Sequence, residues 1–369
     1  MAKILILTVR HGSAHVRISN AVRSALLEID PSSCVEVVDA LAHCTRWFRT
    51  YYNSFEIPLK YWPALWGWIE NVQHHGESTG PAWLYRRGAR PLARFIKSQD
   101  PDIVVATEVG LCEIAALMKR EFRARFRLVG VDGLDMDRPW AQPEVDLYPA
   151  APGGVADQLL AAGVSPEKIL TCGVPVDPVF GSLQDRVGVR RKLELERDVP
   201  VLLVIFGGLA FGRPQQVVKE IAKVKRPLQV VFITRRHHRL TEMVQRLCAG
   251  RPRTRVLGWV DNLQEWMAAA DLLLGRTGSA TVTEALNSGL PILGFDPPPG
   301  LERRVCELIE KWGVGFWVRR IEDLAPRLEQ LLTCGDELEG LRANARTRAR
   351  PQAAHDAAKG ILDLLKEEN

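Results

Sequence analysis

Short aliphatic runs recur along the chain between amphipathic segments. They are Ile4–Leu7, Val35–Val38, Ile103–Ala106 and Leu128–Val131, followed by Val201–Phe206, Gln229–Ile233, Arg255–Leu257, Leu272–Leu274 and Ile292–Phe295. Runs of this length predict strands buried on both faces, and their alternation with amphipathic stretches predicts βαβ units and parallel sheets. The runs fall into two series, each long enough for its own doubly wound sheet. The predicted fold class is therefore α/β, with two Rossmann-like domains.

Between the two series, Thr171 to Phe180 carries Gly173, Pro175 and Pro178, which stop regular structure, and a charged helix-like stretch follows from Arg190 to Arg197. The expected boundaries are residues 1–180 for the N-terminal domain, 181–350 for the C-terminal domain, and 351–369 for a last helix that returns to the first domain. Pro351 is expected to break or kink the amphipathic region Asp336 to Lys366. Open parallel sheets bind ligands beyond the carboxyl ends of their strands, and two such domains facing one another place a cleft there. The loops that follow strands are thus where chemistry is expected.

Composition excludes several classes. The 369 residues are 46% hydrophobic and 25% charged, as in ordinary globular proteins. A net charge of +5 and a pI near 8.8 are too mild to imply nucleic acid, although a local basic patch can attract an anionic surface. The seven cysteines are scattered and form no CxxC, which argues against a disulfide framework and a zinc site and fits a reducing cytoplasm. Ile4–Leu7 is too short for a signal sequence, and no run of about 18 apolar residues exists, so the expectation is a soluble or peripheral protein.

Two loops in the C-terminal half suit a phosphate. Gly207 and Gly208 follow the first strand of that half, and Pro214 suits the first turn of a helix; the same glycines also fit an ordinary turn. Gly275 to Pro291 reads as strand, polar glycine turn, helix, glycine stop and strand, with Gly278, Ser279, Ala280 and Thr281 at the helix start. Hydroxyls and backbone N–H groups there can donate to phosphate, and Glu284, one to two turns in, can accept from ribose hydroxyls. A capped helix with a solvated glutamate is the structural alternative.

These residues carry a resemblance. Gly258-Trp259-Val260-Asp261-Asn262, Glu265-Trp266-Met267, Asp271, Gly278, Thr281, Glu284-Ala285-Leu286, Gly289-Leu290-Pro291 and Pro299-Gly300-Leu301-Glu302 resemble the monogalactosyldiacylglycerol synthase and processive diacylglycerol glycosyltransferase family, related to MurG. In the N-terminal half, Gly12-Ser13-Ala14-His15, Trp140, Pro143, Val145-Asp146, Tyr148 and Gly173-Val174-Pro175-Val176 extend it. The resemblance implies the GT-B fold with an interdomain cleft, a UDP-sugar donor, a lipid acceptor, inversion, and no metal or other cofactor. It further implies phosphate contacts from Gly207, Gly208 and Gly278–Thr281, ribose contact from Glu284, uracil contact near Gly258 and Val260, and donor-sugar contact from Gly300 and Glu302. Asp135-Met136-Asp137 also spells a metal-binding DxD, but in the domain opposite to the expected nucleotide site.

His15, at the end of a glycine loop, is the expected general base toward an acceptor hydroxyl; capping of the helix that starts near Val16 is the alternative. The chain departs from the family where Leu301 replaces a glutamine, Asp137 and Glu108 stand at histidine positions, and Arg235 replaces a glycine. Aromatics crowd one region, Trp47 to Tyr85, among Arg46, Arg49, Lys60, Arg86 and Arg87. Tryptophan and tyrosine favour bilayer interfaces, and each nearby Lys or Arg contributes about 1 kcal/mol on anionic lipid. Gly12, Trp62, Trp66, Trp68 and Trp140 are the acceptor and membrane candidates. The alternative is a helical flap packed on the first sheet. The expected location is the cytoplasmic face of the cell membrane, held peripherally by its anionic surface.

Overall fold

The computed structural model describes residues 1–10, 14–182, 185–206 and 213–366. It divides into two compact units, Met1–Pro178 with Pro299–Leu301 and Gln352–Asn369, and Val179–Pro298 with Glu302–Pro351.

In the N-terminal unit, β1 (Lys3–Thr8), β2 (Cys34–Asp39), β3 (Ile103–Ala106) and β4 (Arg127–Gly130) form a parallel sheet in the order β2-β1-β3-β4. Ile4 to Thr8 and all of β3 are buried, as the aliphatic runs require of strands covered on both faces. β5 (Tyr148–Ala150) and β6 (Ile169–Thr171) add a small parallel pair. Helix α1 (Ala14–Ile29) buries Ile18, Val22 and Leu26, an i, i+4 stripe. Against α1 packs the helix Ala353–Asp363, whose buried face is largely alanine and so admits a close approach. That helix is separated from Gly335–Arg348 by the break around Pro351, where the ring removes an N–H and opposes helical continuation.

Between β2 and β3 the chain builds α2 (Arg46–Asn53), α3 (Glu56–Tyr61), α4 (Pro63–His75), α5 (Ala82–Gly88) and α6 (Arg90–Gln99), and α7 (Val109–Phe122) follows β3. Trp62 separates α3 from α4 because the residue before a proline avoids the helical region, and Pro63 then opens the next helix. Phe48 is fully buried and anchors α2 beneath Gly88, where an added Cβ would come within 2.1 Å of its ring. The Tyr52 hydroxyl donates to Glu108 Oε2 at 2.5 Å, tying α2 to the start of α7. The flap alternative is therefore correct for Phe48, Tyr52 and Tyr85, while Trp62, Trp68 and Trp83 in the same helical region remain 56% to 65% exposed.

In the C-terminal unit, β7 (Val201–Ile205), β8 (Gln229–Ile233), β9 (Thr254–Leu257), β10 (Leu272–Gly275), β11 (Ile292–Phe295) and β12 (Gly315–Val318) form a parallel sheet in the order β12-β11-β10-β7-β8-β9. β7, β8 and β11 are buried along their whole length. In both sheets the first strand lies between its successor and a later strand. This arrangement creates a topological switch point, β1/β3 in one unit and β7/β10 in the other, where diverging loops leave a crevice.

Candidate functional site

His15 stands in the first turn of α1, directly after the loop from β1, and therefore at the β1/β3 switch point. Thr107 directly follows β3 on the other side of that point, its N–H donating to Leu7 O at 3.2 Å. His15 Nδ1 lies 2.6 Å from Thr107 O. A carbonyl oxygen only accepts, so Nδ1 carries the proton and, in the neutral ring, the Nε2 lone pair is left for a substrate. Ser19 stabilises the arrangement from one turn below, its hydroxyl donating to His15 O at 2.8 Å and lying 3.1 Å from Thr107 Oγ1. The capping alternative needs a ring that accepts from the helix; this ring donates to β3 instead. Thr107 was not singled out from the sequence, because its role is carried by a carbonyl that every residue possesses.

Glu108, at a family histidine position, caps α7 by accepting from Leu111 N–H at 3.0 Å and also receives the Tyr52 hydroxyl. Asp137, at the other, accepts from His74 Nδ1 at 2.8 Å. Asp135 accepts from the Gln158 amide at 2.6 Å. The two carboxylates of the DxD thus serve different partners.

One acceptor candidate needs correction. Trp140 is only 4% exposed and lies in the N-terminal core, its ring over Gly130 and its carbonyl accepting from the Tyr148 hydroxyl at 2.8 Å. An indole enclosed in this way has no face left for a bilayer, and its part is packing. Trp66 is half-buried against Phe55, with ring centroids 5.8 Å apart. Trp62 and Trp68 are 58% and 65% exposed. Gly12 lies outside the described residues.

At the β7/β10 switch point, β10 leads through Arg276 and Thr277 into the helix Ser279–Asn287. Gly275 permits the strand to pass β7 closely, since a Cβ there would stand 2.7 Å from Ile205 O. Gly278 is the extended N-cap residue, with open space above its α-carbon. The helix ladder begins with Val282 N–H donating to Gly278 O at 3.0 Å, so the N–H groups of Ser279, Ala280 and Thr281 precede it at the positive end of the helix. Ala280 is fully buried and can serve only through its N–H. Glu284 is 1% exposed, so the reading of a solvated glutamate on a capped helix does not hold. Gly207 and Gly208, which follow β7 in the sequence, lie outside the described residues.

Gly258 and Val260 follow β9 at the same carboxyl edge, three strand spacings or roughly 14 Å from β10. The Gly258 carbonyl accepts from Arg235 N–H at 3.1 Å. Arg235 adopts φ 59°, the left-handed region in which glycine is at ease. The Arg236 guanidinium stands over the exposed Trp259 ring at 4.5 Å.

The sugar candidates separate. Gly300 has φ +94°, which suits glycine alone. Glu302 is held in an ion pair. Both its oxygens are taken by Arg276, Nε to Oε2 at 2.9 Å and Nη2 to Oε1 at 2.7 Å. Burial pushes the Glu302 carboxyl up, and the guanidinium pulls the other way. Thr277 reinforces the clamp by donating to Glu302 O at 2.7 Å. Arg276 was missed in the sequence because nothing local pairs it with a residue 26 positions away.

Comparison with known proteins supports the resemblance. The family model described as monogalactosyldiacylglycerol (MGDG) synthase matches residues 15–176, and that for the glycosyltransferase family 28 C-terminal domain matches residues 202–295. The chain is similar to the monogalactosyldiacylglycerol synthase and processive diacylglycerol glycosyltransferase family. It is a glycosyltransferase of the GT-B fold. The processive diacylglycerol beta-glucosyltransferase of Bacillus subtilis (strain 168) is 23% identical over 377 residues, covering 99% of this chain and 95% of the relative. Monogalactosyldiacylglycerol synthase 2, chloroplastic, of Arabidopsis thaliana is 26% identical over 387 residues, covering 99% and 81%. Among solved structures, MurG of Acinetobacter baumannii superposes with a TM-score of 0.64 at 15% identity, covering 98% of this chain and 100% of that one. That likeness concerns the fold.

Proposed function

We propose that this glycosyltransferase moves a hexose from a UDP-sugar to the free hydroxyl of diacylglycerol in a membrane, with inversion. The observation that supports the chemistry is the His15 to Thr107 contact, which is consistent with Nε2 as the base. In the reaction, Nε2 takes the acceptor hydroxyl's proton, the oxygen bonds to the sugar C1, and the bond from C1 to the β-phosphate oxygen breaks. UDP leaves with the electron pair, and its charge falls on the N–H groups that open the Ser279–Asn287 helix, where the helix dipole favours an anion. Helix dipole and hydrogen bonds then do the work that a metal does in other transferases, and no cofactor is required.

Glu284 is the proposed ribose ligand, and Gly258 and Val260 the proposed uracil contacts. UDP-sugar use is supported by the diacylglycerol glycosyltransferase and MGDG synthase relatives, and one structural neighbour, Anabaena HepE, is described in complex with UDP.

The acceptor lives in a bilayer, and no helix of the described residues is long and apolar enough to cross one. A peripheral hold on the inner face is therefore part of the proposal. The helices α2 to α5 expose Trp47, Ile57, Tyr61, Trp62, Leu65, Trp68, Val72 and Trp83, with Arg46, Lys60 and Arg87 exposed among them. Apolar rings with polar handles beside cations match an anionic interface.

Two measurements test this reading. Purified protein given UDP-glucose or UDP-galactose is expected to release UDP only when vesicles contain diacylglycerol; release that follows a polyprenyl phosphate or a soluble acceptor instead would move the reading to that acceptor. Replacing Trp62 and Trp68 together by serine is expected to lower vesicle partitioning about 30-fold or more at low salt, from loss of about 2 kcal/mol of buried ring. Unchanged partitioning would remove this face from the membrane.

A further inference from the structure

A cavity of about 560 Å³ opens in the N-terminal unit between the Glu77–Ala82 segment, α5, α7 and the turn around Arg138 to Pro143. Its volume lies in the range of small-molecule sites. Glu113 of α7 forms part of its lining and is 6% exposed. Glu113 Oε1 accepts from Thr79 N–H at 3.0 Å, and Oε2 accepts from the Tyr85 hydroxyl at 3.2 Å and from the Thr79 hydroxyl. Each of these donors is neutral. No Lys, Arg or His pairs with Glu113 among the described residues, and burial pushes its carboxyl up. A buried carboxylate facing a cavity without a counter-ion favours a cationic donor as ligand.

The opposite charge is present on the same lining. Arg138 is exposed and has no ion-pair partner among the described residues, and Arg120 beside it is half-exposed and bridges Glu144 at 3.1 Å. Guanidinium groups in this position favour a phosphate. Leu117 and Pro143 supply apolar wall, and Ala82 and Tyr85 come from α5, the helix that exposes Trp83.

We propose that this cavity binds a phosphoethanolamine head group, its primary ammonium on Glu113 and its phosphate on Arg138 and Arg120. Its lipid source rests on the reading that α2 to α5 meet a bilayer; the head-group chemistry does not. The site would let the enzyme sense an aminophospholipid next to the bilayer from which it takes its acceptor.

Calorimetry with the full-length protein and soluble sn-glycero-3-phosphoethanolamine tests the site without a membrane. Binding is expected, with sn-glycerol 3-phosphate and sn-glycero-3-phosphocholine at least about tenfold weaker, since the first lacks the ammonium and the second has no N–H to donate. Glu113→Gln and Arg138→Ala are each expected to weaken the ethanolamine compound by about tenfold or more. Arg138 takes no part in the Thr79 and Tyr85 network, so its variant decides the matter if Glu113→Gln does not fold. Equal binding of all three compounds, no binding of any, or full affinity in Arg138→Ala would overturn the proposal. None of these results touches the diacylglycerol reading, and failure of the Trp62 and Trp68 variant to change partitioning would leave head-group binding as measured.

Discussion

Replacing His15 by alanine is expected to lower turnover by about 10²- to 10⁴-fold, the usual contribution of a positioned general base, while UDP affinity changes by no more than about twofold. The expectation follows from where the residue sits. His15 and Thr107 lie at the switch point of the N-terminal sheet, whereas the proposed nucleotide residues Gly278 to Glu284 lie in the C-terminal unit. His15→Gln is the discriminating variant. Its amide can still donate to the Thr107 carbonyl, but it offers no basic atom to a hydroxyl. Turnover as low as in His15→Ala assigns His15 the proton transfer. Recovery in His15→Gln would make the residue a brace between α1 and β3, and loss of UDP binding in either variant would remove it from catalysis. Steady-state kinetics with titration calorimetry for UDP separate these outcomes.

Asp271→Asn is expected to destabilise the C-terminal unit by about 3–5 kcal/mol, the cost of breaking a buried ion pair from one side. Three arginines converge on this carboxylate, whose side chain is 14% exposed. Oδ1 meets Arg186 and, at 3.1 Å, Arg342; Oδ2 accepts from Arg190 at 2.5 Å and from Val201 N–H at 2.7 Å. Burial opposes the charge, but Arg186, the Val201 N–H and Arg190 outweigh it and hold the carboxyl below its usual value of 3.8. A carboxyl with a depressed folded pKa contributes stability above its unfolded value and loses it as pH falls through the folded one. The contribution is thus complete at neutral pH and fades below about pH 3.8. Asparagine leaves three guanidinium groups together without their anion, whereas Arg186→Ala should cost less because that side chain is 31% exposed. Urea denaturation of the variants at pH 7 and at a pH below 3.8 checks both magnitude and direction. An Asp271→Asn loss below about 1 kcal/mol at pH 7 would show that solvent already screens the cluster.

The nine strand runs read from the sequence all reappear as strands; those covered on both faces, such as β3, β7, β8 and β11, must be continuously apolar and so leave a one-dimensional mark. Three strands left no such mark. β5 is three residues long with Pro149 at its centre, β6 is a half-exposed three-residue edge, and β12 opens on a glycine at the border of its sheet. Short or edge strands are fixed by the neighbour they pair with more than by their own residues.

The aromatic region shows the same limit. Trp68 and Trp140 are the same residue in the sequence, yet one is 65% exposed and the other 4%. Nothing along the chain separates them, because burial depends on which surfaces fold back over a ring. Glu302 is a similar case. Its position suggests a sugar contact, and its partner Arg276 becomes visible only when β10 and the helix after β11 come side by side.

By itself the sequence determined the two parallel sheets, the glycine turns at their carboxyl ends, His15 as the candidate base and the family resemblance. These are local properties, since periodicity, backbone freedom and residue type are written position by position. Tertiary structure alone decided that His15 Nδ1 meets the Thr107 carbonyl, that Trp140 belongs to the core, that Glu302 is held by Arg276, and that Glu113 faces a cavity with Arg138 at its edge. Each depends on atoms tens to more than ninety residues apart in the chain meeting within a few ångströms, a distance that only the packed fold sets.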